Sequence, residues 1–179
     1  MAAPHNPKRY GETWPAERIN ACLDELSILR DLVILSGGWA WHFMSPAGHA
    51  ELKHAHDHKD VDIFVRPENV VKVIGILTDH GFQKVWTKYD RLKDNNDFRR
   101  YEKMSNNHRI TIDFFVDADV PALRLDSGWF VVEPKHLLSL YSSIHSSDAC
   151  FAVQAAAKLV AKGVCPIGRK ELVQIPGEK

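Results

Sequence analysis

Neither sign of charge is in excess in this sequence: 23 Lys and Arg stand against 23 Asp and Glu, and the formal net charge at pH 7 is zero. A protein-wide positive field that would gather nucleic acid or an anionic membrane is therefore absent, and any basic footprint has to be local. Long apolar runs are missing as well. Stretches such as residues 32–35 or 114–116 fall far short of the ~20 residues that a membrane-spanning helix needs. The N-terminal segment Met1-Ala2-Ala3-Pro4-His5-Asn6-Pro7 has no apolar core of the kind a secretory signal carries. Cysteine is scarce: Cys22, Cys150 and Cys165 are odd in number, widely spaced and without a Cys-x-x-Cys pair. That spacing leads to an expectation of free buried thiols in a reducing cytoplasm. No repeat or low-complexity tract is present.

What is present fits one domain over residues 1–179, with residues 1–13 as an extended lead-in and 134–179 as a C-terminal helical segment and tail. From Pro15 the apolar positions Ile19, Cys22, Leu23, Leu26 and Leu29 recur at helical spacing up to about Arg30. Residues 32–35 read as a short buried strand entering the Ser36-Gly37-Gly38 turn, with a second helix from Trp39 to Met44. Residues 45–59 show no period and read as a loop. Val61-Asp62-Ile63-Phe64-Val65 is a strand, and Pro67 and Glu68 open a helix that turns Val70, Val73, Ile74 and Leu77 inward and ends at Gly81. Residues 82–88, 98–104, 109–116 and 129–132 are further strand candidates, with a turn at Asn106-Asn107. Two helices, about 134–145 and 147–162, close the chain. The interleaving of helices and strands defines the class as α/β (α+β), a mixed β-sheet flanked by helices.

The chemistry is concentrated in the acids on two of these strands. In the first, Val61, Ile63 and Val65 share one face, so Asp60, Asp62 and Phe64 share the other. In the second, Ile110, Ile112, Phe114 and Val116 face one way and Thr111, Asp113 and Phe115 the opposite way. Asp60 and Asp62 then stand about 7 Å apart along one strand, and Asp113 lies about 5 Å to the side if the two strands are neighbours. Carboxylates that close repel one another unless a cation neutralises them. Hard oxygen ligands suit Mg²⁺ (or Mn²⁺), which completes its shell with water and phosphate oxygens. Two such ions about 3.5–4 Å apart clamp the attacking and leaving oxygens of an in-line displacement at phosphorus. A lone Asp-x-Asp more often marks the solvated face of an amphipathic sheet; the glycine turn upstream and a third strand aspartate downstream favour a site.

Ser36-Gly37-Gly38 sits between a buried strand and a helix. Glycines there let backbone N–H groups approach a phosphate, and the helix N-terminus adds partial positive charge. No Gly-Lys-Ser/Thr follows, so this is not a P-loop. Lys59, next to the acids, is a further candidate for phosphate contact.

In this order the pieces resemble the nucleotidyltransferase superfamily that includes DNA polymerase β and the aminoglycoside nucleotidyltransferases. The pattern is an apolar strand, Gly-Gly or Gly-Ser, a short helix, acid-x-acid on a strand and a third acid on a later strand. Here it reads Leu35-Ser36-Gly37-Gly38-Trp39-Ala40, then Lys59-Asp60-Val61-Asp62-Ile63-Phe64, then Ile112-Asp113-Phe114-Phe115, and it looks closest to the aminoglycoside-modifying and minimal branch. The resemblance covers about residues 30–117. It implies that Asp60 and Asp62 bind metal and triphosphate, that Asp113 completes the metal site and helps to deprotonate an acceptor hydroxyl, and that Ser36, Gly37 and Gly38 hold the phosphates. The implied partners are a nucleoside triphosphate, ATP first, and an acceptor that is a small molecule, a protein or an RNA end, with a homodimer as one arrangement and no membrane. The chain departs from the pattern in having 21 residues, 39–59, between Gly38 and Asp60, more than the family's usual spacing.

That inserted segment carries His49, His54, His56 and His58, with His42 just before it. A His-x-His-x-His alternation in an extended loop is a transition-metal candidate, set against histidines that are merely solvated or graze the triphosphate. Arg99, Arg100, Lys103 and Arg109 either offset triphosphate charge or form a solvated face, the latter expected for at least two of them. Trp39 and Trp41 read as packing rather than a stacking platform. Three functions remain open: metal-dependent nucleotidyl transfer, a nucleotide-binding or protein-interaction module of the same fold without turnover, and a transition-metal hydrolase site formed by the His-rich loop and the aspartates.

Overall fold

The computed structural model describes residues 12–44, 58–93, 97–142 and 173–174. Eight strands form one mixed sheet: β1 (Val33–Leu35), β2 (Val61–Val65), β3 (Gln83–Val85), β4 (Phe98–Ser105), β5 (His108–Val116), β6 (Ala122–Arg124), β7 (Phe130–Val132) and β8 (Val173–Gln174). Their order across the sheet is β3-β4-β5-β2-β1-β7-β6-β8. The β2–β5 and β1–β7 pairs are parallel and the remaining pairs antiparallel, as expected of a mixed sheet. Among the described residues four helices accompany it: α1 (Ala16–Leu26), α2 (Gly37–Met44), α3 (Val70–Asp79) and α4 (Pro134–Ser142).

The helices form where their apolar spacing and end signals agree. Ile19, Cys22 and Leu26 of α1 are buried, and the chain tightens into a 3₁₀ turn at Ser27–Leu29 before β1. Glu25 fastens α1 to β4 by accepting from Lys103 Nζ at 2.7 Å and Ser105 Oγ at 2.6 Å; these bonds hold its carboxyl below the usual carboxylate range. Pro67 opens a 3₁₀ turn, Pro67–Asn69, that runs into α3, whose Val73 and Leu77 are fully buried. Gly81, at φ +83°, ends that helix: its left-handed backbone lets Phe82 N–H reach back to Leu77 O at 2.9 Å. The α4 N-terminus is capped by Glu133, whose carboxylate accepts from Lys135 N and His136 N.

The β4–β5 hairpin turns on Asn106 and Asn107, at φ +49° and +62°, the positive-φ pair that a two-residue type I′ turn requires. Apolar faces from β1, β2, β5 and β7 meet helical side chains in one continuous core that includes Trp39 and Trp41, so both tryptophans are packing residues as expected. Cys22 lies in this core, and burial pushes its thiol up to about 12, which keeps it protonated and unreactive. Cys150 and Cys165 lie outside the described residues. Among the described residues no helix is long and apolar enough to cross a membrane.

Several expectations are corrected in detail. The second helix starts at Gly37 rather than Trp39, because Ser36 O already accepts from Ala40 N at 3.2 Å. Strand β3 covers only three residues of the expected 82–88: Phe82 is drawn into the core, and Thr87 with Asp90 caps a 3₁₀ turn at Lys88–Arg91. Strands β6 and β8 were not expected. The first has no alternation, since Ala122, Leu123 and Leu125 are all buried, and the second is two residues long. The second C-terminal helix, expected at 147–162, lies outside the described residues.

Ile63 is 1% exposed on the core face of β2, in register with Leu35 and Phe114. Ile63→Asp places an uncompensated charge there, so loss of the cooperative thermal transition by circular dichroism is expected. A variant that melts like the parent would show the facing of β2 to be wrong.

Candidate active site

The parallel ladder of β2 and β5 sets Asp62 directly opposite Asp113. The antiparallel ladder of β5 and β4 sets Asp113 directly opposite Arg100. One row therefore crosses three strands, and Asp60 stands two residues before Asp62, just ahead of the start of β2. The two strands are neighbours, as the acid-convergence argument required.

Asp62 is placed by the glycine turn. Ser36 N donates to Asp62 O at 2.8 Å, which holds the end of β1 against β2. Gly37 has φ +59°, and a Cβ built on it would stand 2.1 Å from Asp62 Oδ2. The acid thus occupies space that any other residue at position 37 would fill, at the first turn of α2. Gly38 follows within the helix, and Ser36 is itself buried.

Asp113 is only 9% exposed, which separates it from an acid on a solvated sheet face. Its burial is balanced by Arg100: Nε donates to Oδ1 at 2.6 Å and Nη2 to Oδ2 at 2.8 Å, a two-pronged charge-assisted pair. The Asp113 hydrogen bonds, with the charges of Asp113, Asp60 and Glu102, raise the Arg100 pKa against the opposing effect of burial, so the guanidinium is permanently charged. Lys59 Nζ stands 3.7 Å from Asp60 Oδ2. An open cleft of about 600 Å³ adjoins the row on the Asp60 side, where Lys59, Asp60, Arg100, Glu102, Arg109 and Thr111 contribute to its lining.

The other basic candidates divide by strand parity. Lys103 points to the core face and pairs with Glu25, and Arg99 lies over the Phe114 ring at 5.8 Å. Arg100 and Arg109 are on the acid face. The Arg100–Asp113 pair is the feature that sequence reasoning missed, although the two-residue turn at Asn106-Asn107 fixes it: counting outward from that turn brings Arg100 opposite Asp113.

Of the loop histidines, His49, His54 and His56 lie outside the described residues. His58 is 2% exposed and packs in an aromatic cluster, 5.1 Å from the Trp39 ring and 5.0 Å from the His42 ring. Its Nδ1 accepts from Trp14 N at 3.1 Å, its N–H donates to Glu12 O, and its carbonyl accepts from Trp39 Nε1 at 3.3 Å. His58 therefore fastens the end of the lead-in to the strand that carries the acids, rather than presenting a ligand to solvent. Burial lowers the His42 pKa, which favours its neutral ring.

Whether these residues suit a divalent ion follows from the donor set. Asp60 and Asp62 offer hard carboxylate oxygens on one face, with the space left by Gly37 around the second, and they fit Mg²⁺ or Mn²⁺. Asp113 fits only when Arg100 leaves it. Among the described residues no group of three His, Cys, Asp or Glu side chains is gathered as a metal cage.

The structure thus brings together a Gly-Gly turn at a helix start, acid-x-acid at the next strand and a third acid on its parallel neighbour. Among solved structures the chain is similar to the lincosamide antibiotic adenylyltransferase LnuA in its lincomycin-bound form, with a TM-score of 0.52 and 13% identity over 83% of this chain and 99% of that one. At that identity the likeness is one of fold. Two looser alignments, each with a TM-score of 0.48 and 12% identity, are to ANT(2")-Ia in complex with adenylyl-2"-tobramycin, over 82% of this chain and 90% of that one, and to the Megavirus polyadenylate synthase, over 84% and 34%. No family model and no curated protein matches the chain by sequence.

Gly37→Ala tests the placement of Asp62. The positive φ and the displaced carboxylate together should lower stability by about 1–3 kcal/mol in urea unfolding. A variant as stable as the parent would mean that Asp62 does not rest against this turn.

Proposed function

We propose that this protein transfers a nucleoside monophosphate from a nucleoside triphosphate, ATP first, to an acceptor hydroxyl. The observation that carries this reading is the meeting of Gly37, Asp62 and Asp113 at one point of a nucleotidyltransferase fold. The acceptor oxygen bonds to the α-phosphorus, the bond from that phosphorus to the bridging oxygen breaks, and pyrophosphate leaves. The first turn of α2 at Ser36, Gly37 and Gly38 is the place for phosphate oxygens, with Lys59 as a nearby cation. A Mg²⁺ or Mn²⁺ ion held by Asp60 and Asp62 would supply charge neutralisation at the triphosphate. Asp113 accepts the acceptor's proton only once its two oxygens are released from Arg100.

LnuA is named for adenylyl transfer to a lincosamide, which supports a small hydroxyl-bearing acceptor here. The balanced net charge and the mixed charges of the cleft favour that acceptor over a long RNA. Three cysteines without paired spacing favour a reducing compartment such as the cytoplasm. A second reading, nucleotide binding without turnover, is favoured by the closed Arg100–Asp113 pair alone.

Incubation with α-labelled triphosphates and panels of small hydroxylated acceptors, followed by pyrophosphate release, separates the two. Asp62→Asn keeps shape and removes one charge. Turnover should fall about 10²–10³-fold, on the order of 3–4 kcal/mol of barrier, while the melting temperature holds. Transfer at the parental rate would remove Asp62 from the chemistry.

A further inference from the structure

We infer that Arg100 is the resident counter-ion of the acid site, held on Asp113 until a metal-bound triphosphate draws it away, so that metal and nucleotide binding are coupled through this one side chain. The inference rests on the nucleotidyltransferase reading above and adds a regulation of that site.

Three observations carry it. Register places Arg100 in the same row as Asp113 and Asp62, so the guanidinium occupies the acid site itself rather than its rim. Both Asp113 oxygens accept from it, at 2.6 and 2.8 Å, and the negative charge of Asp60 also favours its charged form. The pair is unequally buried: the Arg100 side chain is 33% exposed and that of Asp113 12%, and Arg100 borders the open cleft. The arginine is thus the member with room to move, and Asp113 is fixed in the sheet.

Chemistry supplies the exchange. A guanidinium matches a carboxylate and a phosphate with the same two-pronged geometry, so a triphosphate can take Arg100 without leaving it unpaired. A divalent ion arriving alone offers no such acceptor. It must compete with the guanidinium for Asp113 and suffer repulsion from a cation a few ångströms away. Metal alone therefore binds weakly, metal with nucleotide binds tightly, and by linkage each raises the affinity for the other.

The test uses the full chain and Mn²⁺, with free ion followed by electron paramagnetic resonance and no turnover required. The parent should bind Mn²⁺ at least about tenfold more tightly with a non-hydrolysable ATP analogue than without it. Arg100→Gln should bind Mn²⁺ alone about tenfold more tightly than the parent, and adding Asp113→Asn should remove that gain. Arg100→Lys, which keeps the charge but holds one oxygen at a time, should fall between. Natively folded Arg100→Gln and Arg100→Lys with parental Mn²⁺ affinity would overturn the inference. Unfolding of both variants would make the pair a structural brace and overturn it equally. A Mn²⁺ gain without nucleotidyl transfer would leave the coupling standing and sink the function, while transfer without a Mn²⁺ gain would do the reverse.

Discussion

The parallel pairing of β2 with β5 is the constraint on which the site depends. It sets Asp62 beside Asp113 with no offset and, by alternation, sends Ile63 and Phe114 into the core on the opposite face. A slip of one residue would exchange the two faces, burying carboxylates in the core and exposing isoleucine. The fully buried Ile112, Phe114, Val65 and Leu77 therefore hold the acids in place indirectly, because the register that fills the core also aligns the charges.

That alignment concentrates negative charge in a protein whose overall charge is zero. Neighbouring cations balance it: Arg100 on Asp113 and Lys59 beside Asp60. The glycine turn contributes backbone room instead, since the Asp62 carboxylate occupies the space beside position 37 that a side chain there would enter. The acids thereby carry counter-ions of their own, and on the proposed function these are what a metal-bound triphosphate would replace.

Much of this was legible in the sequence because period-2 alternation determines strand faces without tertiary information. Val61–Val65 has the expected limits and facing, and Gly81 ends α3 as a left-handed cap should. The Ser36-Gly37-Gly38 turn was recognised, though not that α2 would begin at Gly37, since a positive φ inside a helix start is a matter of tertiary fit to Asp62. Residues 122–124 are too few to show alternation, and Ala122 and Leu123 are buried on opposite faces of that strand, so pattern alone gave no signal. His58 looked like part of a polar histidine tract; its burial comes from Trp14 and Trp39, which are 44 and 19 residues away and have no local signature. Arg100 was visible only as a charge; its pairing with Asp113 was missed, although the register of the β4–β5 hairpin contains it.

The central claim is that Asp60 and Asp62 hold a divalent ion against a triphosphate seated at Gly37 and Gly38. A crystal structure with Mn²⁺ and a non-hydrolysable ATP analogue tests it most directly, through the anomalous signal of the metal. The account predicts a Mn²⁺ peak bonded to Asp60 and Asp62, with phosphate oxygens at the first turn of α2. A metal peak elsewhere, or a nucleotide bound away from that turn with both aspartates unligated, would contradict it.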